Sequence, residues 1–168
     1  MLEPHTYRRH SARAAALAFA GFASVTLAQP AGDWPMYSRD HAGTRFSPLG
    51  EINTRNVRRL AQAWATPIAR SLDDTSDAPG AAGNPQATPI VVAGVMYLPV
   101  RGNEVLALDA ATGQEIWRHT LRAPLSTTAR GVAYWPGDSG RAARILLTAG
   151  PTLVALDART GTPAAGFG

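Results

Sequence analysis

The phrase ALDAATGQEIW occupies Ala107 to Trp117, and ALDARTGTPAA occupies Ala155 to Ala165, 48 residues later. Near-identity at a fixed offset of this size marks repeat architecture, in which one supersecondary unit recurs and buries its faces against its neighbours. Two hairpins sharing a common turn by chance would not also agree in ALDA, in TG and in their place along the chain. The phrase has a physical logic. Asp109 and Asp157 can accept hydrogen bonds from turn amides, Gly113 and Gly161 supply the positive φ that closes a hairpin, and Trp117 is expected to pack between neighbouring sheets. The position matching Trp117 in the second copy is Ala165.

The residues before each phrase define the unit. ATPIVV, VMYLPV, EVLALDA and EIWRHTL are short apolar runs separated by tight turns at Ala93-Gly94, Arg101-Gly102-Asn103 and Thr112-Gly113. Such spacing describes a four-stranded antiparallel meander. GVAYWP, ARILLTAG and TLVALDA begin a second copy whose last strand is poorly defined. Meanders repeated in this way are the grammar of a β-propeller blade, so the predicted fold class is all-β. Two blades do not close a ring of about four to eight. The expectation is therefore an N-terminal piece of a larger protein, or the product of a truncated gene. The predicted layout is an entry segment over 29–84, a blade over 85–121 and a partial blade over 129–168. The entry segment lacks regular alternation; NTRNVRRL should form one helical turn before a short strand ending near Trp64, and Arg70 to Asn84 reads as a loop.

Residues 1–28 are set apart. Arg8, Arg9 and Arg13 precede the uncharged run Ala14 to Leu27, and cleavage is expected after Ala28. This reads as a signal peptide rather than an amphipathic or buried helix, and the run is short for a membrane span. It predicts secretion into an oxidising compartment, a bacterial periplasm, with no transmembrane segment after cleavage. The twin-arginine pattern is a poor match. The chain has no cysteine, which excludes a disulfide frame, thiolate chemistry and cysteine-based zinc sites. Its formal charge is +4, with only Arg55, Arg58 and Arg59 clustered and no aromatic platform around them. Nucleic acid is therefore not an expected partner.

DWPMYSRDHAGTRFSPLGEINTRNVRRLAQAW resembles the N-terminal entry segment of the pyrroloquinoline quinone (PQQ)-dependent alcohol and sugar dehydrogenases. NPQATPIVVAGVMYLPVRGNEVLALDAATGQEIWRH is similar to their first complete blade, and ARGVAYWPGD, Ala129 to Asp138, to the segment that enters their cofactor pocket. The resemblance covers nearly all of the chain after residue 28. It implies an eight-bladed propeller holding PQQ and calcium, in which a substrate hydroxyl loses its proton to an aspartate while hydride passes to the quinone. It further implies an alcohol or sugar substrate and a quinone or cytochrome electron acceptor. Arg130 matches the arginine that holds PQQ oxygens, a role suited to a planar guanidinium fork. Gln86 falls where several members carry a glutamate that contacts the quinone; an amide there can hydrogen-bond without bringing charge. Ser126 and Thr127 fall near adjacent cysteines that some members place over the cofactor. Their identity weakens any match to methanol dehydrogenases. The calcium ligands and the catalytic aspartate are expected beyond Gly168.

Other constellations are weaker. His41 and His119 lie apart, without a convergent carboxylate pattern. Asp73, Asp74 and Asp77 read as a solvated acidic loop, GAAGN is not a phosphate-binding loop, and Ser139 with Asp138 does not form a nucleophile elbow. A PQQ-repeat propeller without cofactor, serving as a scaffold, shares the ALDAATG phrase but needs neither DWPMYSRDHAGTRFSPL nor RGVAYWPGD. A decayed relic is a third alternative.

Overall fold

The computed structural model describes residues 30–68, 87–100, 103–122 and 130–167. Four strands, β1 (Ile90–Val92), β2 (Val95–Val100), β3 (Glu104–Asp109) and β4 (Glu115–Thr120), form one antiparallel sheet in chain order. Three more, β5 (Ala133–Trp135), β6 (Arg144–Ala149) and β7 (Thr152–Asp157), form a second. The meander and its copy are thus present, and the described residues are all-β apart from a 3-10 turn at Val57–Arg59. That turn is the helical turn expected in NTRNVRRL. The second sheet's fourth strand is only begun: Leu156 bridges Pro163, and Ala164 donates to the Ala155 carbonyl at 2.8 Å.

The repeated phrase builds the same turn twice. The Asp109 carboxylate accepts from the amides of Ala111 (3.1 Å) and Thr112 (2.8 Å) and from the Thr112 hydroxyl (2.8 Å). The Asp157 carboxylate accepts from the amides of Arg159 and Thr160, both at 2.9 Å, and from the Thr160 hydroxyl at 3.1 Å. Gly113 and Gly161 follow at φ 73° and 70°, each donating to the carbonyl of its aspartate at 2.8 Å. Opposite this turn β4 bulges. Ala107 pairs with Trp117 but Leu108 pairs with Glu115, so Ile116 is the extra residue and turns outward.

The two sheets pack face to face through Trp117. Its ring is 8% exposed, and its indole N–H donates to the Ala158 carbonyl of the second sheet at 2.9 Å. A Cβ on Gly161 would lie 2.5 Å from that ring, so only glycine admits the indole there. Around it Ile90, Tyr97, Val105 and Ala107 meet Ile145, Leu147 and Leu156 in one core. Residues Leu106 and Leu108 of β3 point the other way, into a second cluster with Val100. β3 is buried on both faces, which explains why EVLALD reads as a continuous apolar run rather than an alternating one.

The entry segment attaches at both edges of the first sheet. Trp34 and Val91 exchange two backbone hydrogen bonds (2.7 and 2.9 Å), and the Asp33 carboxylate accepts from the Ala93 amide at 2.9 Å. This caps a turn in which Ala93 and Gly94 both have positive φ. Residues 61–68, expected to include a short strand, pair in no ladder among the described residues. They dock by side chains instead: the Trp64 indole donates to the Ala110 carbonyl at 3.2 Å, and the Thr66 hydroxyl to that of Gly113 at 2.6 Å. Arg118, its side chain 6% exposed, pairs with Glu104 and Glu115 and donates to the Ile68 carbonyl at 3.3 Å. The acidic loop and the whole of Arg70 to Asn84 lie outside the described residues, as do residues 1–28.

Two outcomes follow from these turns. Gly161→Ala should destabilise the fold by about 1–3 kcal/mol more than Gly94→Ala, because both strain a positive φ but only the first drives a methyl into an indole. Nothing lies within 4 Å of a Cβ on Gly94; equal denaturation midpoints for the two variants would contradict this. The bonds from Thr112, partly opposed by burial, hold the Asp109 carboxyl below its ordinary value. Burial pushes Asp157 upward, but the bonds from Thr160 and Arg159 outweigh it and leave that carboxyl low as well. A lowered folded pKa gives stability that is present above about pH 4 and lost as pH falls further. The melting temperature should therefore drop on acidification below about pH 4, and less steeply in the Asp109→Asn/Asp157→Asn variant, which keeps an acceptor without the charge.

Candidate cofactor-facing site

Arg130 ends the segment that leads into β5. Its carbonyl accepts from the Thr88 amide at 3.2 Å, and Gly131 forms a parallel bridge with Thr88, two residues before β1. Gly131 has φ 144°, and a Cβ there would lie 3.1 Å from the Thr88 carbonyl oxygen, so this close approach of two chains depends on glycine. The leads into β1 and β5 are thereby fastened side by side. The Arg130 side chain is exposed, and among the described residues no carboxylate pairs with its guanidinium. Behind it a shallow groove of about 430 Å³ is floored by Val132, Leu146, Leu147 and Leu153. Gln86, Ser126 and Thr127 lie outside the described residues, so the structure places Arg130 alone of the four candidates.

The opposite end of the sheets is occupied by the aspartate turns. The Ala110 amide donates to the Gly94 carbonyl at 2.9 Å, which puts the β3–β4 turn beside the β1–β2 turn, away from Thr88. A cleft of about 390 Å³ opens between the sheets, lined by Tyr97, Trp117, Tyr134, Ala143, Asp157 and Arg159. Tyr97 lies between two aromatic neighbours, with ring centroids 6.0 Å from Trp117 and 6.4 Å from Tyr134. Burial, then the proximity of Tyr134 and Asp157, pushes the Tyr97 phenol up to about 12. It stays protonated at neutral pH and cannot serve there as a base.

The remaining candidates are structural. Burial holds the His119 imidazole below its ordinary value, against the opposing effect of its hydrogen bond to the Gly161 backbone. It ties β4 to the turn of the second sheet. Asp138 is paired with Arg141 and accepts from the Gly140 amide at 3.2 Å, which pins the β5–β6 loop. Among the described residues no group of three histidine, aspartate or glutamate side chains could hold a metal ion. No helix among them is long and apolar enough to cross a membrane.

Two attachment residues escaped the sequence reading: Trp64, which docks on the first aspartate turn as Trp117 docks on the second, and Asp33. The readable signal for Trp64 was its place, an indole just before the loop that precedes a new meander.

Residues 34–168 match the family model described as PQQ, glucose/ethanol/alcohol dehydrogenase, beta-propeller domain. The chain belongs to this family. It is 34% identical to the dehydrogenase subunit of alcohol dehydrogenase (quinone) from Gluconobacter oxydans, across 93% of this chain and 21% of that protein. It is 40% identical to quinoprotein glucose dehydrogenase from Escherichia coli, across 61% of this chain and 13% of the relative. The crystal structure of quinohemoprotein alcohol dehydrogenase from Comamonas testosteroni superposes with a TM-score of 0.57 at 32% identity, covering 78% of this chain and 18% of the other. The propeller architecture expected from the repeat and the PQQ-dependent family expected from the entry segment and RGVAYWPGD are borne out, and the chain spans about a fifth or less of these relatives.

A spectroscopic outcome follows for the inter-sheet cleft. Tyrosinate absorbance should show one phenol titrating near pH 12, absent from Tyr97→Phe. A raised folded pKa gives stability that is complete below about pH 10 and lost as pH climbs towards 12. The Tyr97→Phe variant should keep more of its stability across that window; matching profiles would refute this reading of Tyr97.

Proposed function

We propose that this chain forms the opening portion of a periplasmic quinoprotein dehydrogenase that oxidises an alcohol, sugar or polyol. Residues 1–28 would be its signal peptide, 29–84 its entry segment, 85–121 its first blade and 129–168 the start of the next. The observation that carries the reading is the placement of Arg130, together with membership in the PQQ family. Arg130 stands exposed at the joint between the leads into β1 and β5, and no described carboxylate pairs with its guanidinium. That fits PQQ, a planar group bearing carboxylates and quinone oxygens, because a guanidinium fork pairs bidentately with such oxygens.

Bound PQQ would supply the two-electron acceptor for oxidation of the substrate carbinol. The part of this chain is to hold and orient it. Arg130 would donate to its oxygens, with the Thr88–Gly131 bridge fixing the backbone from which the arginine reaches. Gln86 would offer an uncharged amide to the quinone, and Ser126 and Thr127 would lie near the cofactor's face. Calcium suits the reading as a hard Lewis acid for oxygen ligands. No described residue is assigned to it, and the proton acceptor is likewise assigned to polypeptide other than this chain. Electrons would leave to a quinone or a cytochrome.

The test is PQQ titration with calcium, followed by fluorescence, on the complete polypeptide that carries this chain. Arg130→Ala should weaken binding by roughly 10- to 100-fold, the worth of one or two hydrogen bonds to a charged group. Arg130→Lys should recover part of the loss. A well-folded polypeptide that binds no PQQ, or that binds it equally without Arg130, would sink the proposal and favour a cofactor-free scaffold.

A further inference from the structure

The cleft of about 390 Å³ between the two sheets is walled by described residues of both, and the proposed hold on PQQ makes no use of it. Its floor is aromatic. Tyr97 of β2 stands between Trp117 of β4 and Tyr134 of β5, with ring centroids 6.0 and 6.4 Å away. Ile116, the extra residue of the β4 bulge, also lines the cleft and is 49% exposed. Small-ligand sites are concave and mostly apolar, with a few placed polar groups, and bulges commonly re-aim a side chain beside one.

One carboxylate lines the same cleft. The Oδ1 atom of Asp157 takes all three bonds that close its turn, from the amides of Arg159 and Thr160 and from the Thr160 hydroxyl. Among the described residues no donor reaches its Oδ2 atom, and neither the Tyr97 nor the Tyr134 hydroxyl has a hydrogen-bond partner. The Asp157 charge is felt at the floor. Burial, then Tyr134 and Asp157, pushes the Tyr97 phenol up to about 12. A carboxylate that opposes a phenolate favours a cation in its place, and so do the negative faces of aromatic rings. Arg159 is the opposing feature. It lines the cleft too, but it is exposed and makes no ion pair with Asp157, so solvent screens its charge.

We propose that the inter-sheet cleft binds a small organic cation, a quaternary ammonium group seated against the Tyr97 and Tyr134 rings with its charge beside Asp157. A primary ammonium is strongly hydrated and carries three donors. Methyl groups on nitrogen instead suit a lining of aromatic rings, Val95, Ile116 and Ala143. The cleft lies with the aspartate turns, at the end of the strands away from Arg130, so its occupant stays clear of the proposed cofactor contact. A ligand that touches both sheets binds only while they are packed, and it therefore stabilises their packing. The inference rests on the cleft and not on the dehydrogenase reading.

The experiment needs no PQQ. The complete polypeptide that carries this chain is titrated with benzyltrimethylammonium, which stays charged at every pH, and with benzamide, an uncharged aromatic. Calorimetry at neutral pH should show the cation binding at least about tenfold tighter than benzamide. Tyr134→Ala, which removes one ring, should weaken the cation roughly 3- to 30-fold. Asp157→Asn, which keeps an Oδ1 acceptor without the charge, should also weaken it, and Arg159→Ala should tighten it. Saturating cation should pull the Tyr97 titration down from about 12, which a cation bound elsewhere would not do. Equal binding of benzamide overturns the inference, as does an unmoved Tyr97 titration or a folded polypeptide that binds no cation. Affinity unchanged by both Tyr134→Ala and Asp157→Asn overturns it too. If Asp157→Asn does not fold, Tyr134→Ala and the Tyr97 titration decide. Cation binding by a polypeptide that takes no PQQ would remove the dehydrogenase reading alone, and the converse result would remove the cation site alone.

Discussion

One indole holds the two sheets in register. Trp117 sits in the gap between them, where a buried N–H must find an acceptor, and it finds the Ala158 carbonyl at the head of the aspartate turn. The ring can reach that carbonyl only because Gly161 carries no side chain. The positive φ of that glycine closes the turn, and the turn is drawn tight by the Asp157 carboxylate. Remove the ring and the inner faces of both sheets lose their common cover. Remove the glycine and the ring cannot seat. The other parts of the core, Tyr97 against Trp117 and Ile90 against the second sheet, are arranged around that contact.

The proposed cofactor contact and the fastening lie at opposite ends of the strands. The aspartate turns, both indole contacts and the Asp33 cap on Ala93 gather at one end. The Thr88–Gly131 bridge and the exposed Arg130 lie at the other. Loop residues that bind ligands are free to vary where a scaffold fixes them from elsewhere. Substitutions near Arg130 are thus separated by the length of a strand from the contacts that hold the sheets together.

Much of this was legible because it is local. The aspartate turns bond within three or four residues, so their geometry is written in ALDAATG and ALDARTG themselves. The continuous apolar run of β3 and the tight turns gave the meander in order. The stretch before β1 was harder to read. Trp64 bonds a carbonyl 46 residues ahead, and its segment forms no ladder within the described residues, so neither alternation nor turn chemistry signals its role. Asp33 is similarly opaque, since its acceptor role depends on an amide 60 residues away. For the site, the segment flanking Arg130 singled out the residue but not its surroundings. The bond from Thr88 joins two stretches far apart in sequence, and only the folded chain brings them together.

The docking pair straddles the boundary between units: the first sheet carries Gly113, which receives the Trp64 indole, and its own last strand carries the Trp117 indole that covers Gly161 in the second. A stretch of DNA encoding one unit therefore brings a matched socket and plug wherever it is copied. Tandem duplication can lengthen such an array, and deletion of a unit can shorten it, without orphaning either half of the contact. The repeat in this chain is in this sense modular at the level of the gene, because the fastening is offset from the unit it fastens.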